Sequence, residues 1–536
     1  MKNHFGVMID CSRNAVMKPA YVKHMTDLLS ELGYNTLMLY IEDTYEVDDN
    51  PYFGHWRGRY TREELKEMDR YAQSKGMELI PCIQTLAHLG RLFRWQTYRQ
   101  INDIDDILLV GDERVYELID KMFSSLSQSL TTRTVNIGMD EAHHLGLGKY
   151  LDQHGYCDRV QILLAHLNRV SEIAKKYGFK LIMWGDMFYR LLNGGYDALS
   201  APDPEQAKKI SAQIPDNVHL IYWDYYSQEK SHYDAMIRGH QMLDPNTWFA
   251  GGFWTWGGFT PFNYFSLGAT KAAVTSCNEH GVSDMFFTMW GDNGSECPRL
   301  GVLPCIFYAS MLRKGVTEEA EIKKAFEEKY QIAFDDFMLL SLGETPNGTG
   351  EVKNPDKYML YNDPFIGIFD SIAREGDSEL YRKAAEKLAL HETHPTFGYF
   401  FTTQRLLCEI LADKYDLGVR TRAAYVNQDK HALTALLEVY DRLPAEIEAF
   451  YRAFCHQWDL ETKPNGFDAQ DIRIGGLLMR IRHCRERLQD YLEGKIESIP
   501  ELEEPVLDSN GIDGTNLKKQ PLYANWWNGD ISVNAI

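Results

Sequence analysis

The chain has 536 residues, of which 44% are hydrophobic and 25% charged, a composition typical of globular proteins at a length that predicts two domains. Its formal net charge of −21 argues against nucleic acid or an anionic membrane as a partner, because both bind basic surfaces. No apolar run reaches the roughly 18 residues that span a bilayer, and the N-terminus lacks a secretory pattern. Nine scattered cysteines form no disulfide framework, so we expect a cytoplasmic protein.

Short β-rich runs alternate with helical patterns along the first part of the chain. The eight runs are HFGVMID from His4, NTLMLYI from Asn35, MELIPCI from Met77, TVNIGMD from Thr134, KLIMWGD from Lys180, VHLIYWD from Val218, TWFAGGFW from Thr247 and DMFFTMW from Asp284. Near-continuous apolar strands of this length are typical of a parallel sheet that is buried on both faces.

Amphipathic helices separate these runs. In TREELKEMDRYAQSKG, Thr61 and Glu64 form a capping-box pattern, and Gly76 is a C-terminal stop. Eight alternating units predict an α/β fold, a (β/α)8 TIM barrel over residues 1–314. A doubly wound open sheet is the alternative, but it usually has fewer strands, and the chain has no Gly-rich phosphate loop.

After Leu300 the strand pattern fades and helical periodicity takes over. We therefore predict a C-terminal, mostly helical domain over residues 315–536, with GETPNGTGEVKNPD as a polar loop inside it. The tail PLYANWWNGDISVNAI is aromatic, so we expect it to pack against the protein or a neighbouring subunit.

Polar and aromatic residues follow the predicted strands at their carboxyl ends, where the active sites of such barrels lie. Tryptophans are not typical barrel filling, and aromatic walls beside carboxylates and an arginine suit a carbohydrate, which offers C–H faces and hydroxyls. These residues are Asp10, Arg13, Glu42, Asp43, His88, Asp140, Glu141, Trp184, Asp186, Trp223, Asp224, Tyr225, Trp254, Trp256, Trp290 and Asp292.

The fourth run enters two adjacent carboxylates in TVNIGMDEAHHLG. Side-chain alternation along a strand that continues to Asp140 turns Asn136, Gly138 and Asp140 toward the barrel axis, with Glu141 as the first loop residue. Two close carboxylates resist joint ionisation, which raises the pKa of one and suits a glycosidic acid. Sequence neighbours are poorly placed to flank a glycosidic bond from opposite faces. Substrate-assisted hydrolysis, in which a 2-acetamido oxygen attacks the anomeric carbon, needs such neighbours instead.

Two histidines, His143 and His144, follow the carboxylates. No HExxH pattern or spaced carboxylate set accompanies them, so we predict no metal and no cofactor. We expect them to begin the loop-to-helix turn or to hydrogen-bond the carboxylates.

The barrel residues resemble glycoside hydrolase family 20, the β-N-acetylhexosaminidases, in GMDEAHHLG, IDCSRN, the His88 loop, LIMWGD and TMWGD. The resemblance implies a retaining, exo-acting enzyme that removes a terminal β-linked N-acetylglucosamine or N-acetylgalactosamine. It makes Glu141 the general acid/base, Asp140 the holder of the acetamido group, and Arg13 the ligand of the hydroxyls on carbons three and four. His88 would support the pair. The implied pocket lining is Trp184, Trp223 and Trp290, with Asp292 on a hydroxyl. Trp254 on the seventh run is a further candidate for substrate binding.

The chain departs from the family pattern in three places. The first strand begins at residue 4, so we expect the α+β domain that many members carry before the barrel to be absent. Gly138-Met139 replaces Gly-Gly before the carboxylates. The family's acetamido-binding tyrosine has no clear match, and Tyr225 is our candidate. The helical domain resembles that of members lacking the front domain, some of which are homodimers.

Two other functions fit the same residues. One is a non-catalytic sugar-binding protein, because a fold does not guarantee its chemistry. The other is a barrel glycosidase that acts on a non-acetylated sugar with a protein nucleophile, for which the candidates are Asp186, Asp224 and Asp292.

Overall fold

The computed structural model describes residues 3–346, 354–374 and 376–507. They form two compact units, the first of which takes the described residues of Met1–Phe253, Phe265–Trp290 and Cys305–Thr317. This unit contains a closed barrel of eight parallel strands in chain order, which confirms the predicted fold class. Numbered β1 to β8, the strands are Phe5–Asp10, Thr36–Tyr40, Glu78–Cys82, Thr134–Asn136, Lys180–Trp184, Val218–Trp223, Trp248–Gly252 and Met285–Met289.

The strand register closes the barrel through β1. Val7 lies opposite Leu37 on β2 and opposite Phe287 on β8. All three side chains are buried, as expected for parallel strands covered by helices. The carboxyl ends of the strands therefore converge at one end of the barrel.

Helices follow the strands as predicted. Thr61 and Glu64 form the predicted reciprocal capping box, and Gly76 follows that helix with φ +72°. The α-helices up to residue 317 are Pro19–Leu32, Arg62–Ser74, Gly90–Phe93, Glu113–Ser129, Lys149–His154, Arg159–Lys176, Asp186–Asn193, Pro204–Ser211, Lys230–Leu243, Asn263–Glu279 and Leu303–Arg313. The 3-10 helices Gln96–Ile101 and Ala198–Ser200 also belong to the first unit.

The fourth strand is shorter than predicted. It ends at Asn136, and the prediction of alternating side chains through to Asp140 is wrong. Gly138, Met139 and Glu141 have φ values of +72°, +70° and +50°, and a left-handed backbone cannot continue a strand. The two carboxylates therefore lie on a strained loop beyond β4.

The second unit takes the described residues of Trp254–Tyr264, Gly291–Pro304 and Glu318–Ile536, and it is helical as predicted. Its α-helices are Glu319–Tyr330, Phe334–Phe337, Pro355–Tyr361, Asp377–Ala389, Gly398–Lys414, Leu417–Val426, Lys430–Glu461, Asp468–Leu492 and Pro500–Glu503. Its 3-10 helices are Asp292–Gly294, Arg299–Val302, Met338–Ser341 and Asp370–Ile372.

The division at residue 314 stays a prediction, because two short segments that precede it in the chain cluster with the second unit. The aromatic tail and part of the predicted polar loop lie outside the described residues. Among the helices of the described ranges, none has the length and apolarity to cross a membrane.

Candidate active site

Asp140 and Glu141 occupy the loop that follows β4, at the carboxyl end of the barrel. Met139 and Glu141 are non-glycine residues in the left-handed region, a conformation that costs free energy and clusters at functional sites. The backbone N–H of Glu141 donates a hydrogen bond to Asp186 Oδ2 at 3.2 Å. That contact helps to hold the strained turn.

The side chain of Gln84, just beyond β3, fixes Asp140. Its Nε2 donates to Asp140 Oδ1 at 2.7 Å and to Tyr40 Oη at 2.9 Å, and its Oε1 accepts from the Met139 N–H at 3.2 Å. A Cβ on Gly138 would overlap this amide, so the space that glycine leaves is filled by Gln84. A single glutamine in an apolar run gave no indication of this role.

His88, which we expected to support the carboxylate pair, lies against both of these side chains. Its Nε2 is 3.1 Å from Asp140 Oδ2 and 3.7 Å from Glu141 Oε2. Its backbone, with φ +56°, donates to Asp106 Oδ2 at 3.1 Å. Burial lowers the pKa of His88, but the charge and hydrogen bond of Asp140 outweigh burial and raise that pKa to about 10. The imidazole is therefore a cation at neutral pH.

The two adjacent carboxyl groups have opposite pKa shifts. Burial would raise the pKa of Asp140, but the His88 charge and the hydrogen bonds of His88 and Gln84 lower it below its usual value. Burial raises the pKa of Glu141, and the charges of Asp140 and Asp186 raise it further against His88 and Arg190. The Asp140 side chain is 12% exposed and that of Glu141 40%. Asp140 is thus a fixed anion, whereas Glu141 can hold a proton and reach a ligand.

Asp186 and Arg190 support Glu141 from the helix after β5. The guanidinium Nε of Arg190 donates to Asp186 Oδ2 at 2.8 Å, and its Nη2 is 3.8 Å from Glu141 Oε1. Burial raises the pKa of Asp186, and Asp140 adds to that shift. No sequence motif singles out Arg190, although its place four residues after Asp186 on one helix predicts that the two side chains meet.

Arg13 is held among carboxylates from β1 and the β2 loop. Its Nε is 3.6 Å from Asp10 Oδ2, and its Nη1 is 3.7 Å from Glu42 Oε1. Ser12 holds Asp10 through two hydrogen bonds of 2.8 Å. The charges of Arg13 and Glu42 also act on the pKa of His88. This cation therefore belongs to the same neighbourhood as the carboxylate pair.

Four of the predicted aromatic residues form one continuous wall from β5, β6 and β8. The ring centres of Trp184 and Trp290 are 6.0 Å apart, and those of Trp223 and Tyr225 are stacked at 5.5 Å. The indole N–H of Trp290 donates to Tyr225 Oη at 3.0 Å. Trp290 also packs edge-on against Tyr40, with ring centres 4.8 Å apart. Tyr40 accepts a hydrogen bond from Gln84. The aromatic wall is therefore linked through Tyr40 to the glutamine that holds Asp140.

Trp254 and Asp292 cluster with the second unit, and their contribution to a sugar pocket stays a prediction. Trp254 is buried and stacks on Trp256 with ring centres 4.6 Å apart. Asp292 begins a 3-10 turn whose next residue, Asn293, accepts a hydrogen bond from Lys357 Nζ at 2.8 Å.

The side chain of His144 does not bind Asp140 or Glu141. Its Nδ1 lies 2.6 Å from Asp105 Oδ2. In the part of the chain that the structure describes, no group of three or more His, Cys, Asp or Glu side chains has the arrangement of a metal site.

Asp224, one of the alternative nucleophiles, is committed to internal partners. It accepts from Tyr222 Oη at 2.9 Å and from the Tyr226 N–H at 3.0 Å, and it lies 2.6 Å from His232 Nε2. Asp186 is held by Arg190 and the Glu141 backbone. These contacts disfavour either carboxylate as a protein nucleophile.

Comparison with known proteins finds two family models along the chain. One, described as the catalytic domain of glycosyl hydrolase family 20, matches residues 3–249. The other, described as the glycoside hydrolase 20C C-terminal domain, matches residues 335–519.

Individual relatives are distant. The chain is 24% identical to hexosaminidase D of Bos taurus over 42% of this chain and 64% of the bovine protein. It is 21% identical to hexosaminidase D of Homo sapiens over 45% of this chain and 49% of the human protein. The matched region thus spans about half to two thirds of these relatives. A solved β-N-acetylhexosaminidase from Bacteroides fragilis NCTC 9343 aligns with a TM-score of 0.47 and 16% identity, covering 62% of this chain and 71% of that one.

Proposed function

Since this chain belongs to glycoside hydrolase family 20, we propose that it is an exo-acting, retaining β-N-acetylhexosaminidase that releases terminal β-linked N-acetylglucosamine or N-acetylgalactosamine. The observation that carries the proposal is the division of roles between two adjacent carboxylates. Asp140 is a fixed anion with a lowered pKa, and Glu141 is a more exposed acid with a raised pKa. Such neighbours suit a reaction in which the substrate supplies the nucleophile.

In the first step, the oxygen of the 2-acetamido group attacks the anomeric carbon and the glycosidic bond breaks. Glu141 gives its proton to the departing oxygen, while Asp140 accepts a hydrogen bond from the acetamido N–H. Asp140 stabilises the positive charge that develops on the acetamido group, and His88 and Gln84 fix its orientation. The product of this step is a cyclic oxazolinium sugar.

In the second step, the Glu141 carboxylate takes a proton from water as the water oxygen attacks the anomeric carbon. The bond to the acetamido oxygen breaks, and the sugar leaves with its original configuration. Two inversions at one carbon give net retention. The raised pKa of Glu141 suits a group that must be an acid in one step and a base in the next.

The remaining site residues are proposed to bind the terminal sugar. Arg13 would hold the hydroxyls on carbons three and four. Tyr225 is our candidate to bind the acetamido oxygen, because the indole N–H of Trp290 donates to its hydroxyl and orients it. The aromatic lining would be Trp184, Trp223 and Trp290.

We propose a cytoplasmic location and a homodimer as further parts of this function. All nine cysteines are free thiols, which supports a reducing compartment. The substrate would be an oligosaccharide with a terminal N-acetylhexosamine.

The test is hydrolysis of a matched pair, the 4-nitrophenyl β-glycosides of N-acetylglucosamine and glucose. We expect turnover of the acetylated substrate alone, because only it carries the internal nucleophile. Glu141→Gln, which should lose about 10²- to 10⁴-fold in kcat, is the blank for contaminating activity. Equal turnover of both substrates would contradict the proposal and point to a protein nucleophile.

A further inference from the structure

An exposed aromatic cluster lies on two neighbouring loops at the catalytic end of the barrel. Tyr52, His55 and Trp56 come from the loop after β2, and Trp95 comes from the loop after β3. Trp56 is 74% exposed and Tyr52 45%. The ring centres of His55 and Trp56 are stacked at 4.6 Å, those of Tyr52 and Trp95 are 5.0 Å apart, and those of Trp56 and Trp95 are 5.8 Å apart. We call these four residues the aromatic platform.

The platform's β2 loop is held in a defined and strained shape. Trp56 has φ +66°, which is an outlier for a bulky residue and costs free energy. Gly54, at φ +63°, passes so close to the Asp43 carbonyl oxygen that a Cβ would collide with it. Arg59 donates to the carbonyl oxygen of Pro51 at 3.0 Å. A strained backbone that exposes a tryptophan to solvent suggests that the side chain of Trp56 has a functional role.

The β3 loop holds the other side of the platform. Tyr98 Oη donates to Asn50 Oδ1 at 3.2 Å and so joins the two loops. The guanidinium of Arg94 lies over the Trp95 ring, 5.6 Å from its centre. The platform therefore combines ring faces with a cation, which suits a ligand that offers both C–H faces and hydroxyls.

The platform adjoins the proposed sugar pocket through Arg57, the residue after Trp56. Arg57 forms an ion pair with Asp43 and donates from Nη2 to the Arg13 carbonyl oxygen at 3.0 Å. Arg13 is the residue proposed to grip the terminal sugar. The loop that bears the platform is thus hydrogen-bonded to the backbone of Arg13.

From this geometry we propose that the aromatic platform binds the sugar on the aglycone side of the cleaved bond, as a pyranose stacked on Trp56 and its neighbours. The inference rests on the proposed function and assigns residues to the second sugar of the oligosaccharide substrate named there. Aromatic faces stack on pyranose C–H faces without reading individual hydroxyls. The platform therefore contributes affinity for a sugar ring over a small aglycone.

The test compares N,N′-diacetylchitobiose, which has a second sugar, with methyl β-N-acetylglucosaminide, which does not. Trp56→Ala and Tyr52→Ala should each lower the ratio of kcat/KM for the disaccharide to kcat/KM for the methyl glycoside, Trp56→Ala by about tenfold, through KM rather than kcat. Thermal unfolding checks that the variants fold. Tyr156→Ala, which removes a 77% exposed tyrosine from another loop, should keep the wild-type ratio.

If wild type is active on both substrates and Trp56→Ala and Tyr52→Ala leave the ratio of the two kcat/KM values unchanged, the role of the platform in sugar binding is overturned. The proposed function would still stand. If wild type hydrolysed neither substrate, the proposed function would itself fail. A change in sedimentation in Trp56→Ala with an unchanged ratio would instead identify the platform as a contact with a second copy of the chain and overturn its role in sugar binding.

Discussion

Asp140 and Glu141 are neighbours in sequence, yet their carboxyl groups meet different surroundings. The left-handed residues of the loop separate the two side chains. Asp140 binds Gln84 and lies 3.1 Å from His88, whereas Glu141 is more exposed and lies 3.7 Å from His88 and 3.8 Å from Arg190. One carboxyl is stabilised as an anion, and the other retains its proton more readily. The opposite pKa shifts arise from these partners and from burial.

Gln84→Met tests the support of Asp140 at the residue scale. The change leaves an oxygen of Asp140 and the Met139 N–H without this partner, so we expect kcat/KM to fall roughly tenfold to a hundredfold. The Gln84 hydrogen bond lowers the pKa of Asp140. Its removal should raise that pKa and move the acid limb of the kcat/KM profile to higher pH.

Gln73→Met is the matched control for this variant. Gln73 also donates to an aspartate, Asp69, at 2.8 Å, but on the helix Arg62–Ser74. Its replacement should leave the position of the acid limb as in wild type. An acid limb that did not move in Gln84→Met would show that Gln84 does not set the ionisation of Asp140.

At the scale of elements, one histidine joins three strands at the amino end of the barrel. His4, just before β1, lies 2.8 Å through Nδ1 from Asp284 Oδ1, just before β8, and 3.2 Å through Nε2 from Glu78 Oε2 on β3. Burial lowers the pKa of His4, but hydrogen bonds and charges of both carboxylates raise it to about 9. The charged imidazole therefore helps to hold the strands that close the barrel.

His4→Gln should remove a pH-dependent part of the stability. The folded pKa of about 9 exceeds the unfolded value of 6.5, so the contribution is complete below pH 6.5 and is lost as the pH rises through 9. The Tm advantage of wild type over His4→Gln should shrink between pH 6 and pH 9.5. The exposed His431→Gln is the control and should track wild type. A Tm difference that stayed constant with pH would contradict the charged state of His4.

For the whole molecule, long apolar runs were sufficient to predict the eight-stranded barrel, whereas a sugar site at the polar ends of those runs stays a prediction. The eight strands follow from local pattern alone, and the family resemblance seen in GMDEAHHLG is confirmed by the family models. The role of Gln84 could not be predicted from the sequence, because it depends on a contact with the backbone N–H of Met139, 55 residues away in the chain. The strand through Asp140 was wrong, because apolar alternation does not reveal a left-handed turn at Met139.

The most direct test of substrate assistance is the rate for aryl N-acetylglucosaminides whose acetyl group carries zero, one, two or three fluorine atoms. Fluorine withdraws electrons from the acetamido oxygen, so kcat/KM should fall steeply with each added fluorine if that oxygen is the nucleophile. We expect a loss of several orders of magnitude across the series, with Asp140 and Glu141 intact. A rate that is indifferent to fluorination would mean that the acetamido group does not attack, and the roles proposed for both carboxylates would fail.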